Sequence, residues 1–173
     1  MGDGTPAPAD NWEADPTQNQ AVAEPSEPAV GTGKPTAKST AQKSEPTLRQ
    51  HLTDLGRKHI AHVQRNLKED EDLPGAFSVG RDRETGQIFY GASGPSTGLH
   101  SDVQTALPGE SQLENGRPPG VCAEARMCTN ALNAGVNPKN LDIITLNQKG
   151  KKFKMCPNCL TWVPEFVGEV LTG

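Results

Sequence analysis

Three cysteines, Cys122 and the pair in Cys156-Pro157-Asn158-Cys159, constrain this 173-residue chain more than any other feature. The pair begins 34 residues after Cys122, so a fold that uses all three in one site must bring two separate segments together. Three thiolates can hold a zinc ion and leave one coordination position open for water, as in catalytic rather than closed structural sites. Glu124, two residues past Cys122, is kept off the metal in this scheme and takes the proton that such a water gives up. Two disulfides are the other use of four cysteines, but Cys-x-x-Cys together with Cys-x-Glu fits metal better than a secreted disulfide framework.

The surrounding pattern explains how the two segments would meet. Thr47 is expected to cap a helix running to about Lys68, with Leu48, Leu52, Leu55, Ile60 (or His59), Val63 and Leu67 at helical spacing. His51, His59 and His62 lie on it; His59 and His62 are one turn apart, but a surface or core role is expected rather than metal binding. Residues 69–75, acidic and ending Pro-Gly, form a loop. Residues 76–91 read as a β-hairpin, 76–80 and 87–91, around Arg-Asp-Arg-Glu-Thr-Gly, where Gly86 can supply a positive φ. The stretch 92–120 reads as a long loop with a short helical turn at Val103, Ala106 and Leu107. Loops of this length are often lids or binding segments, and Ser93, Ser96 and His100 lie in it.

After Pro118-Pro119-Gly120, a helix is expected from Cys122 to about Asn133, ended by Gly135. A buried strand follows at Leu141–Leu146. Pro157 suits the first position of another helix, which Pro164 would kink or end. If the strand returns to the level at which the first of these helices starts, both metal helices begin at its carboxyl end, where α/β sheets place ligands. Helix amino termini there would also favour thiolate over thiol. Cys128, six residues and about 600° of helix rotation beyond Cys122, points elsewhere and is expected in the core.

Composition divides the chain. Hydrophobic residues make up 33% and aromatics 4%, low for a globular protein. Residues 1–45 hold six prolines and one aromatic, Trp12, and read as a disordered Pro/Ala/Glu-rich linker. With three lysines and seven acids this tail carries −4, which leaves 46–173 neutral with 14 residues of each sign. That balance argues against a strongly basic nucleic-acid binder. Lys149-Gly-Lys-Lys-Phe-Lys154 is the one basic run, and it leads into the cysteine pair. No signal peptide and no membrane-spanning run is recognised.

Zinc-dependent nucleobase deaminases combine a His or Cys first ligand, a glutamate that does not bind metal, and a later Cys-x-x-Cys. The residues here meet that layout and predict hydrolytic deamination: water attacks C4 of cytosine or C6 of adenine, and Glu124 passes protons to the ring and the departing ammonia. The backbone at Ala123, the His100 ring and Trp162, which can stack on a base, are the candidate substrate contacts. Val121-Cys-Ala-Glu-Ala-Arg126, Asn133-Ala-Gly135, the strand, Met155-Cys-Pro-Asn-Cys159 and the hairpin turn resemble the YwqJ-like and related deaminase domains at the carboxyl ends of bacterial polymorphic toxins. The resemblance covers roughly residues 75 to 165. It implies a small layered α/β domain of the cytidine deaminase-like kind, zinc on Cys122, Cys156 and Cys159, and Glu124 as catalyst. It also implies an effector secreted or delivered into a target cell, and a cognate immunity protein. Only fourteen residues follow Cys159, too few for the further strand–helix–strand of the full fold, so a minimal mixed sheet is expected. Three alternatives stay open: a structural zinc module without catalysis, a deaminase of free nucleosides or nucleotides, and a thioredoxin-like redox pair at Cys156 and Cys159.

Overall fold

Side chains along the central strands alternate between two cores, each covered by a different helix, and this organises the molecule. A computed structural model describes residues 46–109 and 117–172. The linker expected at 1–45 and the middle of the 92–120 loop, 110–116, lie outside the described residues. The elements are α1 (Leu48–Asn66), β1 (Ala76–Asp82), β2 (Ile88–Ala92), α2 (Ser101–Ala106), α3 (Ala123–Asn133), β3 (Leu141–Asn147), α4 (Pro157–Leu160), α5 (Val163–Phe166) and β4 (Glu169–Val170). A single 3-10 turn, Pro138–Asn140, leads into β3. The strands form one mixed sheet in the order β2-β1-β3-β4, antiparallel except for the parallel β3–β4 pair. This is a small α/β domain with helices on both faces of a minimal sheet.

Phe77 and Val79 of β1 and Ile144 and Leu146 of β3 face α1, where they pack with Leu52 and Ile60. Leu141 and Ile143 of β3 and Phe89 of β2 face the other way, into a core with Val103, Met127 and Ala131. With both faces covered, β3 is buried from Leu141 to Leu146, as expected of an internal strand in a two-sided sheet. Each large side chain so buried contributes roughly 1.5–3 kcal/mol. On the α3 side of β1, Gly80 has no side chain, and this leaves room for Met127. Gly91 makes the closest approach: a Cβ there would run into the backbone of α3 at Ala123 and Met127.

Local signals set most boundaries. The Thr47 hydroxyl accepts from Gln50 N at 3.3 Å and starts α1; the helix stops at Asn66, with Leu67 already extended. In the hairpin, the Asp82 carboxylate accepts from the Glu84 and Thr85 amides and the Thr85 hydroxyl, and Gly86 takes φ 75°. The 92–120 stretch is tied down rather than free-standing over its described residues. Arg126 donates to the Pro95 and Thr97 carbonyls, the His100 amide donates to Thr129 Oγ1, and Val103 of α2 is fully buried. Among the described residues no helix is long and apolar enough to cross a membrane.

Two histidines of α1 have structural surroundings. His62 lies beside Asn66, and His59 stacks on Tyr90 with ring centroids 4.3 Å apart. Burial, with His62 nearby, pulls the His59 pKa down to about 4. In the unfolded chain the ring takes its proton near pH 6.5. Between those values acidification therefore favours the unfolded state, and stability is lost as pH falls. Urea midpoints at pH 7 and pH 5 should drop more for the wild-type protein than for His59→Phe. Equal drops would assign the acid sensitivity to other groups.

Candidate metal centre

Each cysteine of the centre occupies the residue just before, or in the first turn of, a helix. Pro118-Pro119-Gly120 turns the chain, with Gly120 at φ 82°, and delivers Cys122 as the extended N-cap of α3. The Cys122 side chain makes no capping bond, so its sulfur is directed outside the helix. Cys156 caps α4, accepting weakly from Cys159 N at 3.4 Å, with Pro157 at the first helical position. Cys159 is buried within that single turn.

The chain does not run straight from β3 into α4. It turns at 147–150, where Gly150 N donates to Asn147 O, and lays 152–153 back along β3. Lys152 bridges Leu146, and Phe153 N donates to Thr145 O at 2.9 Å. This return brings the pair beside Cys122. Cys122 Sγ and Cys156 Sγ are 3.2 Å apart, and all three ligand sulfurs lie within 4.8 Å of one another. A tetrahedral zinc with Zn–S of 2.3 Å needs sulfurs about 3.8 Å apart. The donor set and its spacing can therefore hold a metal ion.

The sulfurs are not equivalent. Contacts with the Cys122 and Cys159 sulfurs, helped by the Cys159 amide, pull the Cys156 pKa down to about 2. Cys122 is pushed up to about 12, chiefly by its contact with Cys156, and Cys159 is pushed up by its contacts with the other two sulfurs and by burial. Cys128 is fully buried, its thiol pushed up by burial, and it lies in the core outside the sulfur cluster.

Glu124 stands beside the three sulfurs rather than among them. It is only 3% exposed, with Oε2 3.7 Å from Cys159 Sγ and Oε1 accepting from Thr145 Oγ1 at 2.9 Å. Burial raises its pKa, against the Thr145 and Cys159 hydrogen bonds that lower it. Thr145 is the site residue that the sequence pattern did not single out. Its one signal is polarity: it is the hydroxyl-bearing residue on the face of β3 that Leu141 and Ile143 turn towards α3.

Beside the cysteines is a recess lined by Leu107, Pro108, Pro119, Cys122, Cys159 and Trp162, with a cavity volume of about 10 Å3, room for about one water. Trp162 is 5% exposed, packed edge-on against Phe166, and its Nε1 has no hydrogen-bond partner among the described residues. A buried indole of this kind cannot offer a face to an incoming base without moving. His100 and Ala123 do not line the recess. The His100 ring accepts from Asp102 N and caps α2, and the Ala123 carbonyl abuts Gly91 of β2. The helix expected from Pro157 is also shorter than its pattern suggested. It ends at Leu160, and Pro164, rather than ending it, lies in the first turn of α5, where a missing N–H costs nothing.

Compared with models of protein families, with curated proteins and with solved structures, the chain matches none.

Proposed function

We propose that the chain is a zinc-dependent hydrolytic deaminase of nucleobases, with cytosine in nucleic acid as its first candidate substrate. The observation that carries this reading is a buried carboxylate, Glu124, beside a three-cysteine cluster yet not part of it, with one oxygen held by Thr145. A fourth cysteine or histidine would have indicated a closed structural site. Cys122, Cys156 and Cys159 would hold the metal. Zinc so bound supplies Lewis acidity that brings the pKa of water towards neutrality.

The protein's own groups then account for the proton traffic. Glu124 takes one proton from water and gives it to the ring nitrogen, then takes the second from the hydroxyl added to the ring carbon and gives it to the leaving amine, so water and an amine become a carbonyl and ammonia. The burial that raises its pKa suits it to carry a proton between steps. Thr145 keeps Oε1 occupied and so aims Oε2 at the centre. Delivery into a target cell, with a cognate immunity protein, is part of the same proposal and rests on the resemblance of residues 121–126 and 155–159 to toxin deaminase domains.

The smallness of the recess favours a second reading, a structural metal module in which Glu124 completes the ligand set. One experiment separates the two. Ammonia release and sequencing for C-to-U and A-to-I changes would be measured on single-stranded DNA, duplex DNA, RNA and free nucleosides. With Glu124→Gln, conversion should fall about 10²–10⁴-fold while zinc stays bound. No conversion by the wild-type protein on any substrate, with loss of zinc in the variant, would establish the structural module instead.

A further inference from the structure

Four lysines, Lys149, Lys151, Lys152 and Lys154, lead into the metal centre, and all are exposed. No ion pair among the described residues involves any of them. Their backbone is held in place: Asn147 Oδ1 accepts from Lys149 N and Lys151 N, and Asn147 N donates to Lys151 O. Lysines alone would be a solvated face, but this run contains an aromatic. Phe153 is 43% exposed and Leu160 56%, the two exposed large hydrophobics among the described residues. Phe153 lies three residues before Cys156, and Leu160 directly follows Cys159. The amide of Phe153 bonds to the carbonyl of Thr145, whose hydroxyl holds Glu124. The exposed ring is thus one residue removed from the group that aims the carboxylate.

Resting on the deaminase reading for where the reacting base sits, we propose that residues 149–154 and Leu160 are the docking surface for single-stranded nucleic acid. Phe153 stacks on a base next to the reacting one, and the lysines follow the phosphates. Alternating cations and an exposed aromatic are what a strand with free base faces requires. A duplex hides those faces and can satisfy only the lysines. Because 46–173 has no net charge even with these four lysines counted, attraction depends on this one run and must be salt-sensitive. This assigns the base-stacking role to Phe153 in place of the buried Trp162.

The test uses the full, zinc-loaded chain and a fluorescein-labelled oligothymidylate, which has no exocyclic amine and so binds without reacting. Fluorescence anisotropy should show binding that weakens with salt, with a log–log slope of about −2.8 for four phosphate contacts. Phe153→Ala should weaken it about tenfold, and Lys151→Gln with Lys152→Gln should bring the slope to about −1.4. Lys58→Glu, an exposed change on α1, should leave binding unchanged. Circular dichroism and zinc content of each variant report that it is folded. Absence of low-salt binding, wild-type affinity in Phe153→Ala, or equal affinity for duplex would overturn the surface. Binding through these residues without conversion of any base would keep the surface and sink the deaminase reading; conversion unaffected by Phe153→Ala would do the reverse.

Discussion

Cys156→Ala is expected to weaken zinc binding about 10²–10³-fold, whereas Cys128→Ala should keep the affinity of the wild-type protein. Cys156 Sγ lies 3.2 Å from Cys122 Sγ, and its sulfur neighbours pull its pKa down, so its loss removes both a ligand and the most acidic thiol of the set. Four-ligand zinc sites in small domains bind with roughly 10–16 kcal/mol. One ligand's share is then roughly 3–4 kcal/mol, about 10²–10³ in affinity. Competition against a chromophoric chelator reads this directly. Wild-type affinity in Cys156→Ala would sink the three-sulfur centre, and weakened binding in Cys128→Ala would bring Cys128 into it.

The same centre has a pH signature with a defined sign. Cys122 and Cys159 are pushed up and hold protons at neutral pH, while Cys156 is already ionised. An incoming metal must displace two protons, so affinity rises with pH, by about 100-fold per unit while both thiols remain protonated. A flat profile between pH 6 and 8 would show that the sulfurs are not the ligands.

Gly91→Ala is expected to be the most damaging single change that leaves all site residues in place. The methyl group would meet backbone atoms of α3, at Ala123 and Met127, rather than a side chain that can rotate away. Relief requires α3 to lift off β2, and Cys122 and Glu124 move with it. Overpacking of this kind costs about 3 kcal/mol, or about 10 °C in Tm for a domain of this size. Zinc affinity should fall together with stability because both depend on the seating of α3. Gly94→Ala is the control, since a Cβ there meets nothing within 4 Å. Equal melting temperatures for the two variants would show that the α3–β2 contact is looser than described.

Much of the fold could be read locally. Thr47, the Asp82–Gly86 turn, Gly135 and Pro157 mark element ends through hydrogen bonds and backbone preferences that act within a few residues, and each does so here. The single turns of α4 and α5 and the two-residue β4 could not be read in this way. Four residues carry no helical period, and Glu169–Val170 becomes a strand only because β3 offers it an edge at Asp142 and Ile143. Trp162 shows the same limit: its composition suits a stacking platform, but packing against Phe166 buries it and leaves Phe153 exposed.

The chemistry of the candidate centre was already present in residue types and short spacings. A Cys-x-Glu and a Cys-x-x-Cys name three soft ligands and a spare carboxylate wherever the chain goes, because thiolate affinity for zinc and the basicity of a carboxylate belong to the side chains themselves. The distances between those groups belong to no short segment. The 34-residue gap is closed by β3, the turn at 147–150 and the return of Phe153 along Thr145. The aim of Glu124 comes from a hydroxyl 21 residues away on a different element. Such contacts arise when two buried faces pack together, and burial depends on the whole chain at once.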